Sequence, residues 1–168
     1  MSAYKQLVME KLLAPPSKES LLNFISWLDL ECVGAGVEAV PWQILTRSIV
    51  AAGRALVKKQ HFASGHPVVL TLQAAEAYCQ TPVPDQFALY FKAATRSYPF
   101  GSGEGCYAIN ECGFPGCQPG SGCPSGAGSL YSIARVVGSE VVWQAITAEL
   151  IPWLKEGDEK QLRKKAGK

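Results

Sequence analysis

Apolar residues recur at helical spacing through most of the chain. Leu21, Phe24, Ile25 and Leu28 fall at i, i+3, i+4 and i+7, which is one face of an α-helix. Ser17 or Ser20 is placed to cap that helix. An earlier segment, Ser2 to Leu13, has Ser2 as a cap, and Pro15-Pro16 stops it. Pro41 suits the first turn of a third helix, whose buried stripe is Trp42, Leu45, Ile49 and Leu56. Pro67 opens a fourth, which runs to Thr81-Pro82 with Val68, Leu72, Ala75 and Cys79 on one face. Asp85 begins a fifth, with Phe87, Phe91 and Ala94 as its stripe and Pro99 as its end. Leu130, Ile133, Ala134 and Val137 mark a sixth, ended by Gly138. Ser139 caps a seventh, which carries Val142, Trp143, Ile146 and Leu150 as far as Pro152 and Trp153. The pattern predicts an all-α, single-domain bundle of about seven helices over residues 1–168. Large side chains on these stripes, Phe24, Leu28, Trp42, Ile49, Phe91, Trp143 and Leu150, are the expected core.

One stretch breaks the pattern. Residues 98–129, YPFGSGEGCYAINECGFPGCQPGSGCPSGAGS, show neither helical nor strand period. Long segments without secondary structure inside a domain are usually functional or disordered. Disorder goes with few aromatics and high charge. This loop instead holds Tyr98, Phe100, Tyr107, Ile109 and Phe114 against two charges, Glu104 and Glu111. Its glycines raise the entropy that order must overcome, so something has to hold it.

Cys106, Cys112, Cys117 and Cys123 are the obvious staples, spaced C-x5-C-x4-C-x5-C. Three readings stay open. Four thiolates make a tetrahedral set for a structural metal, zinc first, although zinc sites usually hold their pairs closer together. Two disulfides would need an oxidising compartment. Reduced thiols, in a loop packed by its own aromatics, need neither. Known ferredoxin spacings do not match. Tyr107 and Phe114 are the loop residues best suited to meet a partner, since aromatics are enriched in binding hot spots.

Composition narrows the function. Of 168 residues, 48% are hydrophobic and 18% charged, so the chain is large enough for a real core. A net charge of +2 gives no footprint for nucleic acid. The tail, residues 156–168, alternates charge and reads as a solvated, frayed end without the aromatics that stack on bases. No apolar run approaches a membrane span. The first residues, MSAYKQLVMEKLLAPPSKES, lack the pattern of a signal peptide, so the expected location is cytoplasmic with reduced thiols.

Catalytic signatures are thin. The run GSGEG at 101–105 lacks the strand, the following helix and the Lys-Ser or Lys-Thr of a phosphate loop. His61 and His66 flank HFASGH without the glutamate of a zinc-protease helix. They read as a surface histidine and a helix-start histidine, with a role beside the loop cysteines as the sharper alternative. Cys32 reads as a core thiol. Arg54, Lys58 and Lys59 suit the C-terminal end of their helix dipole.

The segment HPVVLTLQAAEAYCQTPVPDQFALYFKAATRS, residues 66–97, resembles the central hairpin of an Ala-rich helical family of putative bacterial immunity proteins. Glu76 and Tyr78 stand where that pattern has an acidic residue and an aromatic. The resemblance implies a helical partner protein of a toxin. The leading expectation is therefore a non-enzymatic module that binds another protein, with no cofactor assigned. The alternative is a metal-binding or redox-sensing protein that uses the four loop thiols, with zinc as the metal.

Overall fold

The computed structural model describes residues 3–34, 40–81 and 127–166 of the chain. Six α-helices account for nearly all of them: α1 (Ala3–Leu12), α2 (Lys18–Gly34), α3 (Trp42–Gln60), α4 (Pro67–Gln80), α5 (Ala127–Val137) and α6 (Ser139–Ala166). The described residues contain no strand. Six of the seven expected helices are thus in place. The fifth expectation, from Asp85 with Phe91 on its stripe, lies outside the described residues.

Local chemistry sets the helix ends. The Ser17 hydroxyl accepts from the Ser20 amide at 3.0 Å, so Ser17 caps α2. Pro67 is the first residue of α4, where its missing N–H costs nothing. Gly138 adopts φ +104 between α5 and α6, a conformation that suits glycine. It lets two helices join through one residue. His61 takes a left-handed conformation, φ 54, at the end of α3.

Helix α3 is the centre of the fold, packing against α4, α5 and α6. Ile44, Leu45, Ile49, Val50, Ala52 and Leu56 are all buried along it. That is a wider face than the stripe in the sequence suggests. Helix α2 lies against α5 and α6, and α1 touches α6. One hydrophobic cluster joins residues of all six helices. Of the expected core, Phe24, Ile49, Trp143 and Leu150 are buried. The side chains of Leu28, Trp42 and Cys32 are outside the described set.

The α3–α4 pair is held close by a missing side chain. A Cβ placed on Gly53 would come within 2.7 Å of a Leu72 methyl. Two buried hydroxyls are satisfied within their own helices: Ser48 donates to the Ile44 carbonyl and Thr71 to the Pro67 carbonyl, each at 2.9 Å.

Two expectations need correction. The loop 98–129 does not extend to Ser129, because α5 begins at Ala127. Apolar spacing starts at the first buried residue, Leu130, whereas the helical turn that supports it starts earlier. The last helix does not stop at Pro152 and Trp153, and the tail from 156 is not frayed as far as Ala166. Proline removes one donor from α6, yet buried Leu150 and Leu154 lie on either side of it. Beyond Leu154 the sequence is rich in Glu, Lys, Gln and Arg, which are good helix formers. Lys59 stands in the last turn of α3, as expected, and also reaches a second helix. Its ammonium donates to the Val136 carbonyl at 2.6 Å and so caps α5.

Candidate functional site

Cys106, Cys112, Cys117, Cys123, Tyr107 and Phe114 all lie outside the described residues. The described chain leaves that region at Thr81, just past α4, and resumes at Ala127 with α5. Both helices pack on α3. Described groups with chemical potential fall in four places.

The first is a polar belt where α4 ends. Helices α3 and α4 run antiparallel through a short turn. Gly53 therefore meets Leu72, and Gln43, earlier on α3, meets Cys79, later on α4. The Cys79 thiol lies 3.9 Å from the Gln43 carbonyl. Arg47 is paired with Glu149 of α6 at 2.7 Å, and Arg54 with Glu76 of α4. Both pairs reach solvent, so each contributes little to stability.

Two influences compete at Cys79. Burial raises the pKa, while the Arg47 guanidinium and the Thr46 hydroxyl lower it. Burial wins, and the thiol is pushed up to about 11. At neutral pH it is a packed, protonated group. A nucleophilic cysteine needs the opposite balance.

The second place is the α3–α4 turn, which carries both histidines. The His66 Nδ1 accepts from the Val68 amide at 3.3 Å and caps α4. Its ring stacks on Phe62 with centroids 3.9 Å apart and planes 3° apart. His61 is exposed. These are the surface and helix-start roles expected of them. Cys79 lies at the opposite end of α4, roughly 20 Å from His66 at about 1.5 Å per residue. No Cys–His pair forms there. Among the described residues, no group of three or more His, Cys, Asp or Glu is placed to hold a metal ion.

The third place is an open pocket of about 290 Å³ where the start of α2 meets the α5–α6 turn. Lys18, Tyr131, Ala134, Arg135, Gly138 and Ser139 line it. This lining offers two cations and two hydroxyls, with no carboxylate or imidazole. It can bind polar groups but brings no general base.

The fourth is an aromatic run under α1. Tyr4 stacks on Trp27 with centroids 5.9 Å apart, and Trp27 lies 6.1 Å from Phe24. Phe24 in turn lies 5.7 Å from Trp143 of α6. The Lys11 ammonium sits 5.2 Å from the Trp27 ring centroid, and that of Lys5 sits 4.4 Å from the Trp153 centroid. Lys5 also donates to the Trp153 carbonyl. Sequence reasoning missed this run. Its signal was Tyr4, Val8 and Leu12, spaced i, i+4, i+8 on a helix otherwise weak in pattern.

None of the described helices is long and apolar enough to cross a membrane. Comparison of the chain with known protein families, with curated proteins and with solved structures finds no match. The first helix expected in residues 66–97 coincides with α4. There Glu76 carries the ion pair to Arg54, and Tyr78 is buried.

Proposed function

We propose that the chain is a non-enzymatic helical module that binds another protein, and that its partner is a toxin. The observation that carries the binding reading is the pair of half-buried tryptophans, Trp27 and Trp153, each under a lysine. Tryptophan is among the residues that dominate protein interfaces. The protonated state of Cys79 favours packing over covalent chemistry at that thiol. The immunity role rests on the resemblance in residues 66–97 alone. Co-expression with the product of a neighbouring toxin gene tests it. The expected outcome is restored growth and a complex that survives gel filtration. Unrelieved toxicity together with no complex overturns it. A Tyr107→Ala/Phe114→Ala variant that still binds fully would remove the loop from the interface.

The spacing of Cys106, Cys112, Cys117 and Cys123 favours a second reading, a metal- or redox-sensing loop. Metal analysis beside a thiol count, on protein purified without chelator, separates its forms. Bound zinc with four masked thiols supports a metal site. Thiols that appear in pairs on reduction support disulfides. Metal-free protein with all thiols titrating at once overturns both.

A further inference from the structure

Helix α1 differs from the other described helices in how it is held. It is ten residues long, shorter than the about 12–15 residues at which an isolated helix becomes even marginal. Val8 and Leu12 are its buried residues, whereas α4 alone buries five. Leu7, at 39% exposure, faces water from the same helix, and Leu13, just past its end, is 77% exposed. The segment joining α1 to α2 is non-helical and carries Pro15-Pro16, so α1 hangs from a stiff arm. It touches α6, with Lys5 over Trp153, and meets α2 through Tyr4 and Lys11 on Trp27.

What lies beneath is the kind of surface that receives helices. Trp27 of α2 and Trp153 of α6 meet α1 directly, and Phe24 and Trp143 continue the aromatic run behind Trp27. Removing α1 would uncover Trp27 and the surface around it while leaving the contacts of α3 with α4, α5 and α6 untouched. The occupant is specified by the groove's present tenant. Val8 and Leu12 are buried, Tyr4 in the same i, i+4, i+8 row stacks on Trp27, and Lys5 and Lys11 cover the indoles of Trp153 and Trp27. This is the helix-in-groove mode of recognition.

We propose that α1 is a displaceable strap, and that the groove it fills between α2 and α6 is the docking site for an amphipathic helix of the partner. That helix carries an aromatic, a β-branched residue and a leucine at i, i+4 and i+8, with lysine beside the aromatic. The inference rests on the protein-binding reading and names its surface. A strap in equilibrium with an open state opens locally, at a cost below that of global unfolding. The partner helix then competes with a tethered one, so its apparent affinity is its intrinsic affinity scaled by the fraction of chains that are open.

The test uses the full chain. Amides of α1 are expected to exchange hydrogen at least tenfold faster than those of α3 under native conditions. A labelled peptide of residues 3–14, AYKQLVMEKLLA, is the probe. Val8→Asp puts a charge into the groove and evicts the resident helix. The peptide should bind this variant at least tenfold more tightly than the wild type, and Trp27→Ala in the same background should abolish binding. If Val8→Asp fails to fold, Lys5→Ala/Lys11→Ala takes its place, with the same expected gain. Protection of α1 equal to that of α3 overturns the proposal. So does a folded variant that ignores the peptide, or a wild type that dimerises by exchanging α1. If the strap fails this test while the toxin complex still forms, binding uses another surface. Loss of the complex as well removes the protein-binding reading itself.

Discussion

Cys79 is a residue on which two forces act with opposite sign, and their balance has a measurable result. Its thiol is pushed up to about 11 by burial, despite the nearby Arg47. At pH 7 the thiolate is then roughly one part in ten thousand. Alkylation mapped by peptide mass spectrometry should find Cys79 among the slowest thiols at pH 8, and faster reaction than a free cysteine would refute its burial. The pH dependence follows from the direction of the shift. An unfolded cysteine ionises near pH 8.5 and the folded one near 11, so the folded state holds the extra proton in between. Its contribution to stability is full below about pH 8.5 and is lost as pH rises toward 11. Cys79→Ser should flatten the alkaline decline in that window. Gly53 is the other residue whose identity matters. An added Cβ meets buried Leu72, so Gly53→Ala should destabilise by about 1–3 kcal/mol. A double-mutant cycle with Leu72→Ala should show strong coupling, and additive costs would mean that the helices do not touch there.

Single elements were more legible than their neighbourhoods. The spacing of Val142, Trp143, Ile146 and Leu150 identified both the last helix and its inward face, since one element's periodicity records which side meets apolar surroundings. It carries no record of which element supplies them. Arg47 and Glu149 meet across 102 positions, and nothing in either segment names the other. Lys59 illustrates the same gap. A lysine in the last turn of α3 suits its own helix dipole, yet the turn between α5 and α6 brings a nearer carbonyl end to it. Lys59→Met keeps the aliphatic stem and removes the charge-assisted bond. It should cost about 0.5–1.5 kcal/mol in urea unfolding, whereas Lys58→Met should cost almost nothing. Equal effects would place the interaction elsewhere. The proline in α6 misled for a physical reason too. It withdraws one hydrogen bond, and the burial of Leu150 and Leu154 outweighs that loss. Of the candidate site, the sequence disclosed composition and spacing at Cys106 to Cys123. That stretch lies outside the described residues.

At the scale of the molecule, the arrangement is radial. Helix α3 stands in the middle, and α6 is the element that closes the described core, touching α1, α2, α3 and α5. A chain cut after Val137 should therefore lose the cooperative thermal transition altogether, although α3 and α4 remain in sequence. A truncated form with a sharp transition would show that α6 is an accessory. The same centrality has a consequence for biosynthesis. A ribosome adds about 5–20 residues each second. The partner of Arg47 follows 102 residues behind it, so roughly 5–20 s pass before the two can meet. Through that interval the oily flank of α3 is without its largest neighbour. Native packing of α3 therefore waits on translation of the last long helix.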